Sequence, residues 1–520
     1  MKNNYFLSKS IGLSLLSALF VVEKSNAEKR PNILFAFADD WGRHAGIYHE
    51  KENDNLLSSI VSTPNIDKLA REGALFMNAH VCAPSSTPCR SALLSGQYFW
   101  QTTRASMLHG SVWESSYLSY PLILQENGYH IGRTYKVWNP GTPANAPYGG
   151  NLNKFEAHGT AFNSFSLNVS AKTNQTAIEA EKQRLYNEVI GNFQDFLNAR
   201  PDNDTPFCYW WGPTNTHREW KKGSGKAIWG IEPNDLIGKL PPIYPDVAAI
   251  REDIADYLGE IQAFDHALGL IIEELEKQGE LDNTIIVVSG DHGMAFPRAK
   301  SNLYNLGTQV ALIAHYPKMI KSGRIIDDFV NLMDLAPTFL ELGGVTPPEA
   351  MTGESLVPIF KAEESGQIEA SRTFVVTGLE RHNPGARDGN MHYPKRAITT
   401  AEYKYIRNFE PERWPMGPES RNFQDVANGP SKTWLLNNYC NENYKTQMNL
   451  IFGKRPYEEL YDLTSDPYEM NNLAEDANFE TIKKELSEKL NEVLINTNDP
   501  RMQPGLCIFE RYPYTVSGNE

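Results

Sequence analysis

Long apolar runs are scarce in this 520-residue sequence. Residues 11–22 form the one clear run near the N-terminus, and it is too short for a bilayer, which needs about 20 apolar residues. It follows Lys2 and Lys9 and precedes the small residues Ser25-Asn26-Ala27, so residues 1–27 read as a signal peptide. Export is expected, with no transmembrane anchor. Positive charge is also in deficit: 49 Lys and Arg stand against 64 Asp and Glu, for a formal charge of -15. A global anion is a poor nucleic-acid binder, so no nucleic-acid partner is expected. An anionic substrate then requires a local cluster of cations or a metal. Cysteine is sparse and odd in number: Cys82, Cys89, Cys208, Cys440 and Cys507. Their spacing is that of neither a zinc site nor a disulfide scaffold, and two pairs at most can form. Internal repeats and low-complexity tracts are missing as well. What remains is a chain that is 41% hydrophobic, ample for a large core and long enough for two or more domains.

Strands and helices alternate along most of it. "RPNILFAFADDWG" holds an apolar strand that ends in Asp39-Asp40, at the edge where open α/β sheets place ligands. "TPNIDKLAREGALFMNAHV" reads as helix, glycine stop and strand, and "LILQENGYHIGRTYKVW" repeats that rhythm. "FCYWWGP" is a buried strand near His217, and "NTIIVVSGDHG" is another apolar strand that ends in an acid. Such alternation predicts a mostly parallel sheet with helices on both faces. After about residue 370 the pattern changes. "KRAITTAEYKYIRNF" reads as a β-hairpin and "ELYDLTSDPYEMNNLAED" as strand, turn and helix start. The expected division is a catalytic domain over residues 28–370 and an α+β subdomain over 371–520 that contributes to the substrate pocket.

Parallel neighbours end on one edge, so Asp39, Asp40 and Asp291 can converge. Three like charges repel unless a cation sits among them, and oxygen ligands favour Ca²⁺ or Mg²⁺ over zinc. A third segment, "VCAPSSTPCRSALLSGQY" at residues 81–98, reads as a loop entering a helix, with Ser85, Ser86 or Thr87 as N-cap and Pro88 in the first turn.

"PNILFAFADDWG", the "STPCRSALLSG" helix start, "SGDHG" and "LYDLTSDPYEMNNL" occur in an order and at a spacing that resemble the formylglycine-dependent sulfatases of the alkaline phosphatase superfamily. The resemblance spans essentially the whole mature chain. "SGDHGMAFPRAKSNLYNLGTQV" and "THREW" look most like the branch of N-sulfoglucosamine sulfohydrolases and bacterial polysaccharide sulfatases, including those for ulvan. It implies an alkaline phosphatase-like α/β fold, with helices sandwiching the sheet, and a smaller C-terminal α+β domain. Counting four residues back from Arg90 gives Ser86 as the residue oxidised to formylglycine (3-oxoalanine), with the cysteines as bystanders. A serine-type site implies a bacterial sulfatase-maturing enzyme acting before export, hence a periplasmic, surface or secreted protein. The aldehyde hydrate would offer one hydroxyl to attack sulfur and a second to release sulfate. By the same matching, Asp39, Asp40, Ser86, Asp291 and His292 form a Ca²⁺ shell, with His292 in a place more often held by Asn. Arg90 and Lys136 hold the modified residue, Lys300 grips a sulfate oxygen, and His217 protonates the leaving group. One departure stands out. Where the family carries a histidine two residues beyond the lysine, "YKVWNPG" places Trp138.

"GLERHNPGARDGNMHYPKRAI" joins the two regions and resembles the substrate-contacting segment of the branch, with Arg381, His382 and Arg396 as candidate substrate ligands. The expected activity is that of a sulfatase on a sulfated polysaccharide or its oligosaccharides, such as ulvan. Alternatives are an N-sulfoglucosamine (heparan) sulfohydrolase, a phosphatase or phosphodiesterase of the same superfamily, and a non-catalytic glycan-binding relative.

Overall fold

The computed structural model describes Met1 and residues 29–510, apart from 53–54, 144–147 and 149–152. The expected signal peptide therefore lies, save for Met1, outside the described residues. No helix among the described residues is long and apolar enough to cross a membrane.

A seven-stranded sheet forms the centre. Its strands are Asn32–Ala38 (β1), Ala74–His80 (β2), His130–Tyr135 (β4), Phe207–Gly212 (β6), Thr284–Gly290 (β7), Leu312–His315 (β8) and Arg324–Asn331 (β9); Val112–Trp113 (β3) and Thr142–Pro143 (β5) form a separate short ladder. The order is β4-β6-β1-β7-β8-β2-β9. All neighbours are parallel except at β8, which runs antiparallel to both β7 and β2. In register, Phe35 of β1 lies between Trp210 of β6 and Val287 of β7.

Successive strand residues point to opposite faces, and here both faces are covered, which is why β1 reads as one apolar run. Leu34, Ala36 and Ala38 pack with the long helices Gln175–Asn198 and Ala248–Lys277. Ile33, Phe35 and Phe37 pack against the opposite layer, with Leu93 and Leu94 of helix Ser86–Ser95 and Phe339 and Leu340 of helix Leu335–Leu342.

The C-terminal part holds a four-stranded antiparallel sheet of Phe374–Leu379 (β10), Lys395–Thr400 (β11), Tyr403–Asn408 (β12) and Glu458–Asp462 (β13), in that order. A third apolar cluster joins it to the main body. Ala92, Phe99 and Trp100 meet Val376, Ile398 and Leu460 there, and Leu490 and Leu494 of helix Glu480–Asn496 close it. That helix begins later than the sequence suggested. Asn472 and Asp476 turn their side chains back onto backbone N–H groups, which holds the segment before Glu480 in turns. All five cysteines are free thiols.

Candidate active site

The site gathers at the C-terminal ends of β1 and β7, where the parallel strands stop together. Asp40 adopts a left-handed conformation (φ 56°), which breaks the strand's alternation and lets two consecutive carboxylates, Asp39 and Asp40, serve one cluster. The N–H of Asp40 donates to Asp291 Oδ1 at 2.9 Å, tying the two strand ends together. Gly293 follows because nothing larger fits: a Cβ there would lie 1.7 Å from the Leu306 carbonyl oxygen.

Ser86 is the first residue of a ten-residue helix whose N-cap, Ser85, is extended. Its hydroxyl lies 2.8 Å from Asp291 Oδ2, 3.2 Å from Asp39 Oδ1, 3.1 Å from Lys136 Nζ and 3.3 Å from His292 Nε2. One turn on, Arg90 is wholly buried. It donates to Asp291 at 3.0 Å, Asp39 at 3.2 Å and the carbonyls of Lys136 and Val137. The helix N-terminus adds partial positive charge at the same point, a natural seat for an anion.

Asp39, Asp40, Asp291 and His292 each place a donor atom within 4.8 Å of the others, so the buried group could hold a metal ion. His292 Nδ1 faces the carbonyl of Gly293 at 3.0 Å, which can only accept, so the proton sits on Nδ1 in the neutral ring. Its Nε2 then points at Asp40 and Asp291, 3.2 and 3.5 Å away. Burial pushes the Asp39 carboxyl up, but Lys136 and Arg90 outweigh it and hold the group well below the usual carboxylate range. Asp40 is likewise held down against burial by Lys300, His217 and His292. Lys300 donates to both Asp40 oxygens at 2.9 Å, which raises its own pKa despite burial. Three acids thus meet three cations, Arg90, Lys136 and Lys300. A divalent ion added to that balanced set leaves the pocket positive enough to receive an anion.

His217 sits on the loop after β6, which the Thr216 hydroxyl ties to the Asp39 carbonyl at 2.5 Å. Its Nδ1 donates to the Arg218 carbonyl, and Nε2 stands 3.9 Å from Asp40 with the ring 42% exposed to the cleft. Partial burial and the nearby Lys300 hold its pKa below 6.5. The cleft has a volume of about 900 Å³ and takes in Ser86, Lys136, His217, Lys300 and His382.

The three substrate candidates from the linker fare differently. His382 lines the cleft and accepts from or donates to Ser85 Oγ at 2.9 Å; burial and then Lys300 hold it well below 6.5. Arg381 is buried outside the cleft lining and donates to the His109 carbonyl at 2.8 Å. Arg396 is a correction. It is fully buried in ion pairs with Glu380 at 2.8 Å and Asp499 at 2.6 Å, and the distant Asp499 is what draws it inward, away from any ligand.

Three acids on one face of helix Ala248–Lys277 escaped the sequence reading. Asp253 clamps Arg218 through two 2.8 Å bonds, Asp256 accepts from the N–H groups of Gly223 and Gly225, and Glu260 accepts from Asn215 Nδ2 and the Ser166 N–H. Together they hold the His217 loop from beneath. Their signal was acids spaced 3 and 4 apart among Ile250, Ile254, Tyr257 and Ile261, on a face that is otherwise apolar. Trp138, standing where a histidine was expected, donates from Nε1 to Ser91 Oγ at 2.8 Å and packs edge-on against Trp113.

The sulfatase family model matches residues 31–345, and the model for the C-terminal part of N-sulphoglucosamine sulphohydrolase matches residues 290–449. An ulvan-active sulfatase of Formosa agariphila is 24% identical, over 92% of this chain and 76% of that protein. The N-sulphoglucosamine sulphohydrolase of Homo sapiens is 27% identical, over 90% of this chain and 91% of that protein. Among solved structures, one described as a complex with its substrate D-glucosamine-2-N,6-O-disulfate superposes with a TM-score of 0.61 at 19% identity, covering 91% of this chain and 99% of the other.

Proposed function

The chain belongs to the sulfatase family, and we propose that it removes sulfate from a sulfated polysaccharide or its oligosaccharides, algal ulvan among them, with residue 86 as formylglycine and calcium in the carboxylate cluster. The observation that carries this reading is the Ser86 hydroxyl, set between two carboxylates and an ammonium in the lining of the cleft. The ulvan-active relative supports the substrate class. The match to the C-terminal N-sulphoglucosamine sulphohydrolase model favours a second reading, an N-sulfated glucosamine substrate. Residues 1–27 and a serine at the modified position support a maturing enzyme acting before export to a bacterial periplasm.

The donor set fits calcium: three carboxylates suit a hard cation, and His292 Nε2 is the one weaker match. Bound there, calcium supplies Lewis acidity to the oxygens around it. Oxidised, residue 86 supplies a geminal diol in place of a hydroxyl that would be left as a stable sulfate ester. The rest is the work of this chain's own side chains. Arg90 orients Asp39 and Asp291. Lys136 Nζ holds the oxygen on residue 86, which favours its anionic form. Lys300 takes a sulfate oxygen, and the positive pocket stabilises charge as the S–O bond breaks, usually the largest catalytic term. His217 presents Nε2 to the departing sugar oxygen and protonates it.

Mass spectrometry of the peptide containing residue 86, made alongside a serine-type maturing enzyme, should find it lighter by two hydrogens. Sulfate release measured on ulvan, heparan, chondroitin and carrageenan oligosaccharides then ranks the substrates, with ulvan first. An active preparation whose Ser86 is intact would refute the formylglycine mechanism.

A further inference from the structure

Among the described residues, two cavities meet at the candidate site. The first, described above, holds Ser86, Lys300 and His382. The second has a volume of about 510 Å³ and lies on the far side of Lys136 and His217, the two residues that line both. Each volume is within the range of about 300–1,000 Å³ typical of ligand sites. Neither Ser86 nor Lys300 lines the second cavity, so the sulfate itself does not require it.

Its walls have a distinct chemistry. Thr160, Asn163 and Thr214 offer hydroxyls and an amide, and Arg133 and Lys154 offer cations. A single carboxylate, Glu156, faces both cations, 3.7 Å from Arg133 and 3.4 Å from Lys154. Asp39 and Glu156 are the two carboxylates of this lining, set against the three cations Arg133, Lys136 and Lys154, and Lys154 is 38% exposed. Short polar groups beside a lining with one more cation than carboxylates suit a sugar ring that carries a carboxylate or sulfate. On the opposite limb, the first cavity carries the exposed cation Lys221. The His217 ring thus stands between two limbs that each offer a positive charge.

We propose that the second cavity is a subsite for the neighbouring sugar of a polyanionic glycan, so that the sulfate removed sits on an internal residue of the chain rather than only at its end. This rests on the sulfatase reading above and specifies the mode of action within it.

The test uses the mature enzyme, with residue 86 verified as oxidised. Sulfate release is followed from an aryl sulfate, from sulfated disaccharides, and from one sulfated polymer before and after partial depolymerisation at equal mass. An enzyme acting on internal residues keeps its initial rate when the number of chain ends rises, whereas one confined to ends speeds up in proportion. The Lys154→Glu variant is expected to lower the tetrasaccharide-to-disaccharide ratio of kcat/KM about tenfold, the factor that a contact worth about 1.4 kcal/mol represents. A rate that tracks chain ends, or a ratio that Lys154→Glu leaves unchanged, overturns the inference while the sulfatase reading stands. No sulfate from any substrate, aryl sulfate included, overturns both.

Discussion

At the scale of single side chains, His217 lines the cleft and Trp138 is buried outside its lining. His217 has Nδ1 committed to the Arg218 carbonyl and Nε2 turned to the cleft, so it can serve as an acid only through that one atom. His217→Ala is expected to cut turnover of a sugar sulfate by ~10²–10⁴-fold, the range for a positioned acid. An aryl sulfate, whose leaving group needs little protonation, should lose far less; equal losses would mean that His217 only positions the sulfate. Trp138 fills volume and donates to Ser91. Trp138→His should therefore lower both activity and stability, the latter by on the order of 3 kcal/mol, because a smaller ring leaves a void. Thermal unfolding and steady-state rates check both. Charge alone does not say whether a residue is buried. Arg396 and His382 stand in one charged linker, yet one is sealed in ion pairs and the other lines the cleft. Arg396 was misread because its partner Asp499 lies 103 residues away, beyond any local pattern.

Strands β1 and β7 were legible because burial on both faces forces continuous apolar sequence, and the acids at their ends break it abruptly. The antiparallel β8 was not, since a four-residue apolar run carries no mark of direction. Nor was the support under the His217 loop, where Asp253, Asp256 and Glu260 look like ordinary polar positions of a long helix. Burial raises Glu260 to about 7 and Asp256 to about 6. In the unfolded chain Glu260 titrates near 4.5, so between these values the folded state binds the extra proton. Stability is then greatest below about pH 4.5 for this group and declines as pH rises towards 7. Glu260→Gln removes the ionisation. Its Tm relative to the parent should climb between pH 5 and pH 8, and a pH-independent difference would assign the raised pKa no role in stability.

Across the whole molecule, two devices join distant segments. The first is the carboxylate cluster, which unites β1, β7 and helix Ser86–Ser95. Chelation should lower both Tm and activity, with calcium restoring both. Ligand at 100 times its Kd contributes about 2.7 kcal/mol, so differential scanning calorimetry resolves the shift; bound zinc without a calcium response would contradict the assignment. The second is the buried network of Glu380, Arg396, Asp499 and Arg501, which fastens β10 and β11 to the segment after helix Glu480–Asn496. Arg396→Met strands the buried Asp499 carboxylate and leaves Glu380 with Arg501, and should cost about 3–5 kcal/mol in urea unfolding. This second device also sets an order in time. Arg501 leaves the ribosome 121 residues after Glu380, the carboxylate it pairs with. Until then that network stays open, and the linker bearing His382 lacks its anchor. In the folded protein Ser86 is only 2% exposed, held among Asp39, Asp291 and Lys136. On the formylglycine reading proposed above, residue 86 would have to be oxidised before the chain folds, and a copy that folds first would keep its serine.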